Sequence, residues 1–194
     1  METVDYIIEE TKEPGHKTVA VTGDDGRKKY LHSTIAPSKE TSILSDILDK
    51  ADGKTVIVLG CGLGYHLKPL EKNKADIKVI IIDIFDSLES IVRENIDLPQ
   101  STIFITGKDF TKIENSLIEN IHIDEKTGFV ICEHPSSVRV FPAFYEECRK
   151  IIDRVIRERV GNLVTKKKFG SIYIRNIAKT ISSISSAFPF SSLN

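Results

Sequence analysis

The apolar positions of this 194-residue chain form short β-branched runs in its first two thirds and a long helical stripe after them. Each run is apolar, about five residues long and bounded by polar or glycine-rich sequence, which predicts buried strands. Strands are expected at 55–60, 77–84, 102–106 and 128–133, and helices near 64–74, 86–96 and 111–121. Because strand and helix alternate, the pattern predicts a parallel sheet with right-handed crossovers.

The amino-terminal pattern predicts a β-hairpin and one helix before the first parallel strand. Two short apolar runs, 17–22 and 28–32, flank Gly23-Asp24-Asp25-Gly26, whose residues tolerate positive φ. Apolar residues at helical spacing then begin at Ile43 and continue until Gly53. We expect a small hairpin region ahead of the main sheet.

The pattern becomes helical after Pro135. Apolar residues from 141 to 163 keep to one helical face, and those from 172 to 184 indicate a second amphipathic helix. The predicted fold class is α/β, a Rossmann-like parallel sheet with a small N-terminal β-hairpin and a C-terminal helical extension. The expected divisions are 1–36 for the hairpin region, 37–136 for the core and 137–194 for the extension.

The overall composition and net charge do not indicate a class of binding partner. The formal charge of −1 at pH 7 favours neither nucleic acid nor a membrane as partner, and the basic positions 154–168 are interpreted as a solvated helix face. Cys61, Cys132 and Cys148 lack CxxC spacing, which predicts reduced thiols and no metal site. With neither a signal-peptide pattern nor an apolar run of roughly 20 residues, a cytoplasmic location is expected.

Three alternating glycines at the end of the first parallel strand predict a ligand-binding turn. Gly60, Gly62 and Gly64, termed the glycine turn, stand between a predicted strand and a predicted helix. Glycine lets the backbone turn sharply and approach a ligand, and the helix that follows offers free N–H groups. The acid Asp83 closes the next strand, 19 residues after Gly64. Together these features favour nucleotide binding.

The residues at the strand ends resemble the ligand-binding positions of class I S-adenosylmethionine-dependent methyltransferases. In an open α/β sheet, ligands bind outside the carboxyl ends of the strands. The resemblance implies that the glycine turn accommodates the cofactor, that Asp83 binds the ribose hydroxyls and that Asp109 meets the adenine. It departs from the family pattern at Val58, where an acid is usual, and in having no fifth strand or antiparallel pair.

Each of these residues also has a structural interpretation. Asp83 can cap the next helix or pair with a basic residue, and Asp109 can be the N-cap of the helix near 111. His66 is placed to meet a phosphate or to pack, and Tyr65 to pack or to stack on a base.

Glu133 and His134 lie at the end of the fourth predicted strand. Both are candidate ligand-binding residues, and proton abstraction by either stays open. No residue is assigned as catalytic, because no serine, histidine and acid spacing is diagnostic of a hydrolase. His32, Ser33 and Glu40 either line the same cleft or connect the hairpin to its following helix.

A second resemblance covers most of the chain. It is carried by Tyr30-Leu31-His32-Ser33, Pro37-Ser38-Lys39-Glu40, the run 59–66, Glu133-His134-Pro135 and Arg175-Asn176. In this combination the chain is similar to the amino-terminal Rossmann-like domain of Maf proteins, bacterial motility-associated factors related to flagellin glycosyltransferases. The resemblance implies a binding or scaffolding module in protein glycosylation, not catalytic alone, because the chain ends where the family's transferase domain would begin.

The implied partner is flagellin or another glycosylated protein, together with a nucleotide-type small molecule. The cofactor is left open between S-adenosylmethionine and a nucleotide sugar. A divergent methyltransferase and a nucleotide-sugar-binding domain are therefore the alternative functions.

Overall fold

The amino-terminal part of the protein is a small antiparallel sheet. The computed structural model describes residues 5–23, 26–48, 55–72, 77–122 and 128–166. The first sheet contains β1 (Tyr6–Glu10), β2 (Lys17–Thr22) and β3 (Lys28–Tyr30) in the order β1-β2-β3. The predicted hairpin is confirmed as the β2 and β3 pair. Strand β1 was not predicted, and it completes the sheet by pairing with the other edge of β2.

A four-stranded parallel sheet forms the centre of the fold. Its strands are β4 (Thr55–Leu59), β5 (Lys78–Asp83), β6 (Ile103–Thr106) and β7 (Phe129–Glu133), in the order β6-β5-β4-β7. All three pairings are parallel, so the predicted α/β class is confirmed. The chain adds β5 and β6 on one side of β4 and returns to add β7 on the other. The carboxyl end of β4 therefore lies at the point where strand order reverses, which is where such sheets bind ligands.

The connections are helical, as predicted, but two are 3₁₀ helices. The helices are 3₁₀ Pro37–Thr41, α1 (Ser42–Leu48), 3₁₀ Tyr65–Lys72, α2 (Leu88–Asn95), α3 (Phe110–Asn120), α4 (Pro135–Val140) and α5 (Pro142–Lys166). The helix after the glycine turn contains Pro69, which has no N–H to donate and so disfavours a regular α-helix. The predicted helix 172–184, and with it Arg175-Asn176, lies outside the described residues.

One hydrophobic core joins the parallel sheet to α5. Strand β4 is buried along its whole length, and Tyr145, Cys148 and Ile152 of α5 belong to the same core cluster. The three thiols, Cys61, Cys132 and Cys148, are free and buried. Among the described residues, no helix is both long and apolar enough to cross a membrane.

Candidate functional site

The glycine turn has the backbone geometry that its sequence predicts. Gly60, Gly62 and Gly64 have φ of 86°, 49° and 84°, in the left-handed region that L side chains rarely adopt. The turn is fixed by two backbone hydrogen bonds. The amide of Gly60 donates to the carbonyl of Ile82 at 2.8 Å, and the amide of Gly64 donates to the carbonyl of Cys61 at 2.8 Å.

The face that the glycines leave open is filled by the protein's own side chains. A Cβ at Gly62 would overlap the Nε2 atom of His32, and a Cβ at Gly60 would come within 2.5 Å of the Cβ of Ser137. The backbone amide of Leu63 donates to Nε2 of His32 at 2.7 Å. The close approach for which glycine is needed is therefore made to buried side chains of the same chain.

A carboxylate shared by two histidines connects three distant segments. Nδ1 of His32, which follows β3, lies 2.5 Å from Oε2 of Glu40 on the first 3₁₀ helix. Nε2 of His134, which follows β7, lies 3.2 Å from the same oxygen. The other oxygen, Oε1, accepts the backbone N–H of Ser33 at 2.9 Å. Both histidines are buried, with 2% and 1% exposure, whereas the Glu40 side chain is 15% exposed.

The hydrogen-bond partners assign the tautomers of these histidines. Nε2 of His32 accepts the Leu63 amide, so the ring proton is on Nδ1 and is donated to Glu40. His134 donates from Nε2 to Glu40, so its Nδ1 accepts the hydroxyl of Ser137 at 2.7 Å. The carboxylate of Glu40 therefore accepts three N–H bonds.

Burial and hydrogen bonding shift the ionisation of Glu40 and His32. Burial alone would raise the pKa of Glu40, but hydrogen bonds from His134, His32 and the Ser33 amide outweigh it and lower that pKa. Burial lowers the pKa of His32 and outweighs the opposing effect of the Glu40 hydrogen bond. The pair therefore consists of an ionised carboxylate and a neutral imidazole.

His66 completes a stack of rings beside the glycine turn. Its ring lies parallel to that of His134, with centroids 4.5 Å apart and an interplanar angle of 5°. Nε2 donates to the carbonyl of Gly60 at 3.1 Å, while Nδ1 has no hydrogen-bond partner within the described part of the chain. Burial, together with His134 and His32, lowers the pKa of His66. His66 is fully buried, so it packs here and does not face solvent. We term His32, Glu40, His66, His134 and Ser137 the histidine cluster.

Tyr65 lies at the edge of this cluster and joins it to the antiparallel sheet. Its ring meets that of His32 edge-on, with centroids 4.9 Å apart. Its hydroxyl accepts the amide of Lys17 at 2.8 Å and donates to the carbonyl of the same residue at 3.0 Å. Tyr65 therefore has a packing role in this structure.

The predicted acidic ligands are engaged by the protein itself. Asp83 is buried, and its two oxygens accept the backbone amides of Cys61 at 2.6 Å and Phe85 at 3.0 Å. Asp109 is the N-cap of α3, since it accepts the amides of residues 111 and 112. Both oxygens of Glu133 pair with Arg149, at 2.6 and 2.9 Å.

These contacts separate the predicted site residues into two groups. The glycine turn, His66, Asp83 and His134 meet at the carboxyl end of β4. Asp109 lies instead at the start of α3, and Glu133 faces α5. With His32 over Gly62 and Asp83 only 1% exposed, the residues do not fit S-adenosylmethionine in this arrangement.

Ser137 is a member of the cluster that the sequence reasoning missed. The only signal for it was its position three residues after His134, within the turn that starts α4. His32 and Glu40 were recognised as polar residues of the upstream motif, but nothing in the sequence paired them with His134.

The cluster does not fit a metal ion, although His32, Glu40 and His134 offer three ligand atoms within 4.8 Å of one another. A metal on Nδ1 of His32 would move the ring proton to Nε2. That atom faces the N–H of Leu63 at 2.7 Å, so two donors would then oppose each other.

The connection from Glu40 through His134 to Ser137 has the order of an acid, histidine and serine relay. A hydrolase, however, needs its nucleophile to reach a substrate. Ser137 is only 1% exposed and packs against Gly60, so the relay orients buried groups instead.

Comparison with family models and with curated proteins gives no relative from which a role could be taken. No family model matches the chain, and no curated protein matches it. The functional inference therefore depends on the residues and contacts described above.

Proposed function

We propose that this chain is a Rossmann-like domain of the Maf type that acts in the cytoplasm as a non-catalytic binding module in protein glycosylation, with flagellin as its partner. One observation carries the proposal. The motif residues His32, Glu40 and His134 come from separate segments, with Glu40 and His134 94 residues apart in the chain, and they form one hydrogen-bonded cluster on the glycine turn. Because these residues meet in one cluster, the separate sequence motifs are best treated as one structural unit.

The arrangement over the glycine turn supports binding without cofactor chemistry. A ligand lying on Gly62 would have to displace His32, and with it the bonds to Leu63 and Glu40. Loss of those partners would leave buried polar groups unsatisfied, at a cost of about 1–3 kcal/mol for each group. A scaffolding role needs no such displacement. The buried cluster then serves to hold the antiparallel sheet and the parallel sheet in one fixed relation.

The partner is tested by direct binding. Flagellin from the same organism is immobilised, and the purified chain is passed over it, with an unrelated α/β protein of similar charge as the control. We expect saturable association of this chain alone. Absence of association with flagellin would remove flagellin from the proposal.

The methyltransferase alternative is tested separately, by calorimetry with S-adenosylmethionine and S-adenosylhomocysteine. We expect no heat of binding. Micromolar affinity, together with methylation of any acceptor, would overturn the proposal in favour of the enzyme. Titration with cytidine nucleotides tests the nucleotide-sugar alternative, for which a saturable heat is the positive result.

A further inference from the structure

A cavity of about 670 Å³ opens beside the histidine cluster, between the segment after β3 and helix α4. Its lining comes from β3 through Lys29, from the following loop through Ser33, and from α4 through Ser136 and Arg139. The volume falls within the range of small-molecule sites, about 300–1,000 Å³. None of the glycines of the turn lines it, so this cavity is distinct from the cleft that the glycine turn predicts.

The side chains of this cavity present hydrogen-bond donors. Oγ of Ser33 accepts the amides of Ile35 at 3.2 Å and Ala36 at 3.1 Å, which leaves the hydroxyl hydrogen to donate elsewhere. The guanidinium of Arg139 reaches the hydroxyl of Ser136 at 3.4 Å, and within the described ranges it pairs with no carboxylate. Lys29 supplies a second positive charge to the same wall.

One carboxylate, Glu40, also lines the cavity, and its charge offsets one of the two cations. Glu40 already accepts N–H groups from His32, His134 and Ser33. The cavity thus combines two cations and a free hydroxyl hydrogen with a carboxylate whose hydrogen bonds are made inward. An arginine with several unfilled donors is the side chain that best suits a planar or tetrahedral oxyanion.

We propose that this cavity binds the phosphate group of a small sugar phosphate, with the phosphate oxygens accepting from Arg139, Lys29 and the hydroxyl of Ser33. Tyr30 and Val140 line the same cavity and give apolar contact for the sugar ring. The inference rests on this cavity alone and is independent of any role in glycosylation.

The test is an NMR titration of the ¹⁵N-labelled full chain with glucose 1-phosphate. We expect saturable shifts of the amide signals of Ser33, Thr34 and Ser136. The variant carrying Lys29→Gln and Arg139→Gln is expected to bind about tenfold more weakly, the effect of losing charge-assisted bonds worth about 1.4 kcal/mol. The control is Lys112→Gln, which removes an exposed cation from α3 and should leave the affinity unchanged.

Arg139→Lys separates the guanidinium geometry from its charge, and it should give an intermediate affinity. Glucuronic acid is titrated in parallel, because a carboxylate presents similar oxygens, and we expect it to bind more weakly than glucose 1-phosphate. The proposal is overturned if the wild-type amides show no saturable shift, if the double variant binds as well as the wild type, if Lys112→Gln weakens binding equally, or if glucuronic acid binds more tightly.

Discussion

The histidine cluster and the outer face of α5 both concentrate ionisable side chains, but in opposite surroundings. In the cluster, His32 and His134 share the carboxylate of Glu40, and both histidines have almost no exposure to water. On α5, Arg154 pairs with Glu114 at 2.7 Å and Arg157 pairs with Asp153 at 2.7 Å, with side chains 31–58% exposed. The distances in the two regions are similar, so distance does not distinguish them.

The difference lies in what replaces a lost partner. Water replaces either side chain of an exposed ion pair, and such pairs contribute little to stability. The histidines of the cluster are almost completely buried, so little water can replace a hydrogen bond that they lose, and they depend on their protein neighbours. A buried polar cluster therefore fixes which segments meet, whereas the surface pairs on α5 tolerate exchange.

The largest effect is expected from Gly60→Ala. The new Cβ would lie 2.5 Å from the Cβ of Ser137, and the residue would keep its φ of 86°. Left-handed strain and overpacking together should lower the free energy of unfolding by about 3 kcal/mol. Gly15→Ala is the control, since Gly15 has φ of 76° with no atom within 4 Å of the added Cβ, and it isolates the strain. Equal losses for the two variants in urea unfolding would mean that the cluster does not resist the added methyl.

Glu40→Gln breaks the cluster at its centre. A glutamine cannot accept from both histidines and the Ser33 amide without turning its own NH₂ group toward a donor. Removing one partner of a largely buried charged network should cost about 3 kcal/mol of unfolding free energy. Glu114→Gln, in the exposed pair with Arg154, is the matched control and should cause a much smaller change. Equal losses of unfolding free energy in the two glutamine variants would contradict the difference between the buried cluster and the exposed pairs of α5.

Acid should weaken the cluster before it weakens the α5 face. His32 is surrounded by Glu40, His134, Tyr65 and Asp83, and the pKa values of His32 and His66 lie below the unfolded value of 6.5. Below that pH the unfolded chain binds protons that the folded chain does not, so stability falls as pH falls. Each histidine contributes a slope of up to about 1.4 kcal/mol per pH unit. Glu40 adds the same sign of effect below its unfolded pKa of 4.5.

The pH effect is measured as the urea midpoint between about pH 7 and pH 5, the range in which histidine titrates. His66→Phe keeps an aromatic ring stacked against His134, but that ring cannot bind a proton. The variant should therefore reduce the slope of stability against pH. His122→Gln changes an exposed histidine at the end of α3 and is the control. A wild-type midpoint that does not move with pH would contradict the neutral state assigned to these rings.

The smallest effect is expected at Asp109, which belongs to neither region. Asp109→Ala removes the side chain that accepts the amides of Thr111 and Lys112, and loss of such an N-cap costs about 1 kcal/mol. Asp109→Ser keeps an oxygen acceptor and should retain most of the stability. A loss in the serine variant as large as that in the alanine variant would assign Asp109 a role other than capping.

The parallel sheet was predictable because its signal is local. The run Thr55-Val56-Ile57-Val58-Leu59 is β-branched and fully buried, and the glycines after it have the positive φ that their sequence indicated. Pro69 disfavours a regular α-helix after the turn, and the structure has a 3₁₀ helix there. Strand β1 was missed because it ends in Glu9 and Glu10, which interrupt the apolar run that marks a strand.

The histidine cluster could be predicted only in part. The motifs around His32 and Glu40 suggested hydrogen bonding between hairpin and helix, and this contact spans just 8 residues. The contact from Glu40 to His134 spans 94 residues, and no local pattern encodes it. Asp83 and Asp109 had structural alternatives from the start, and which of them applied depended on the backbone amides that folding brought near.

The three buried cysteines can report which part of the fold opens. Burial raises the pKa of the Cys61 thiol, which lies within the glycine turn, and raises the pKa of Cys132 on β7 and of Cys148 on α5 to about 12. A thiol reagent can therefore modify each site only when its part of the fold opens. Comparing the labelling rate at Cys61 with the rates at the other two would show whether the turn opens by itself or only when the whole core unfolds.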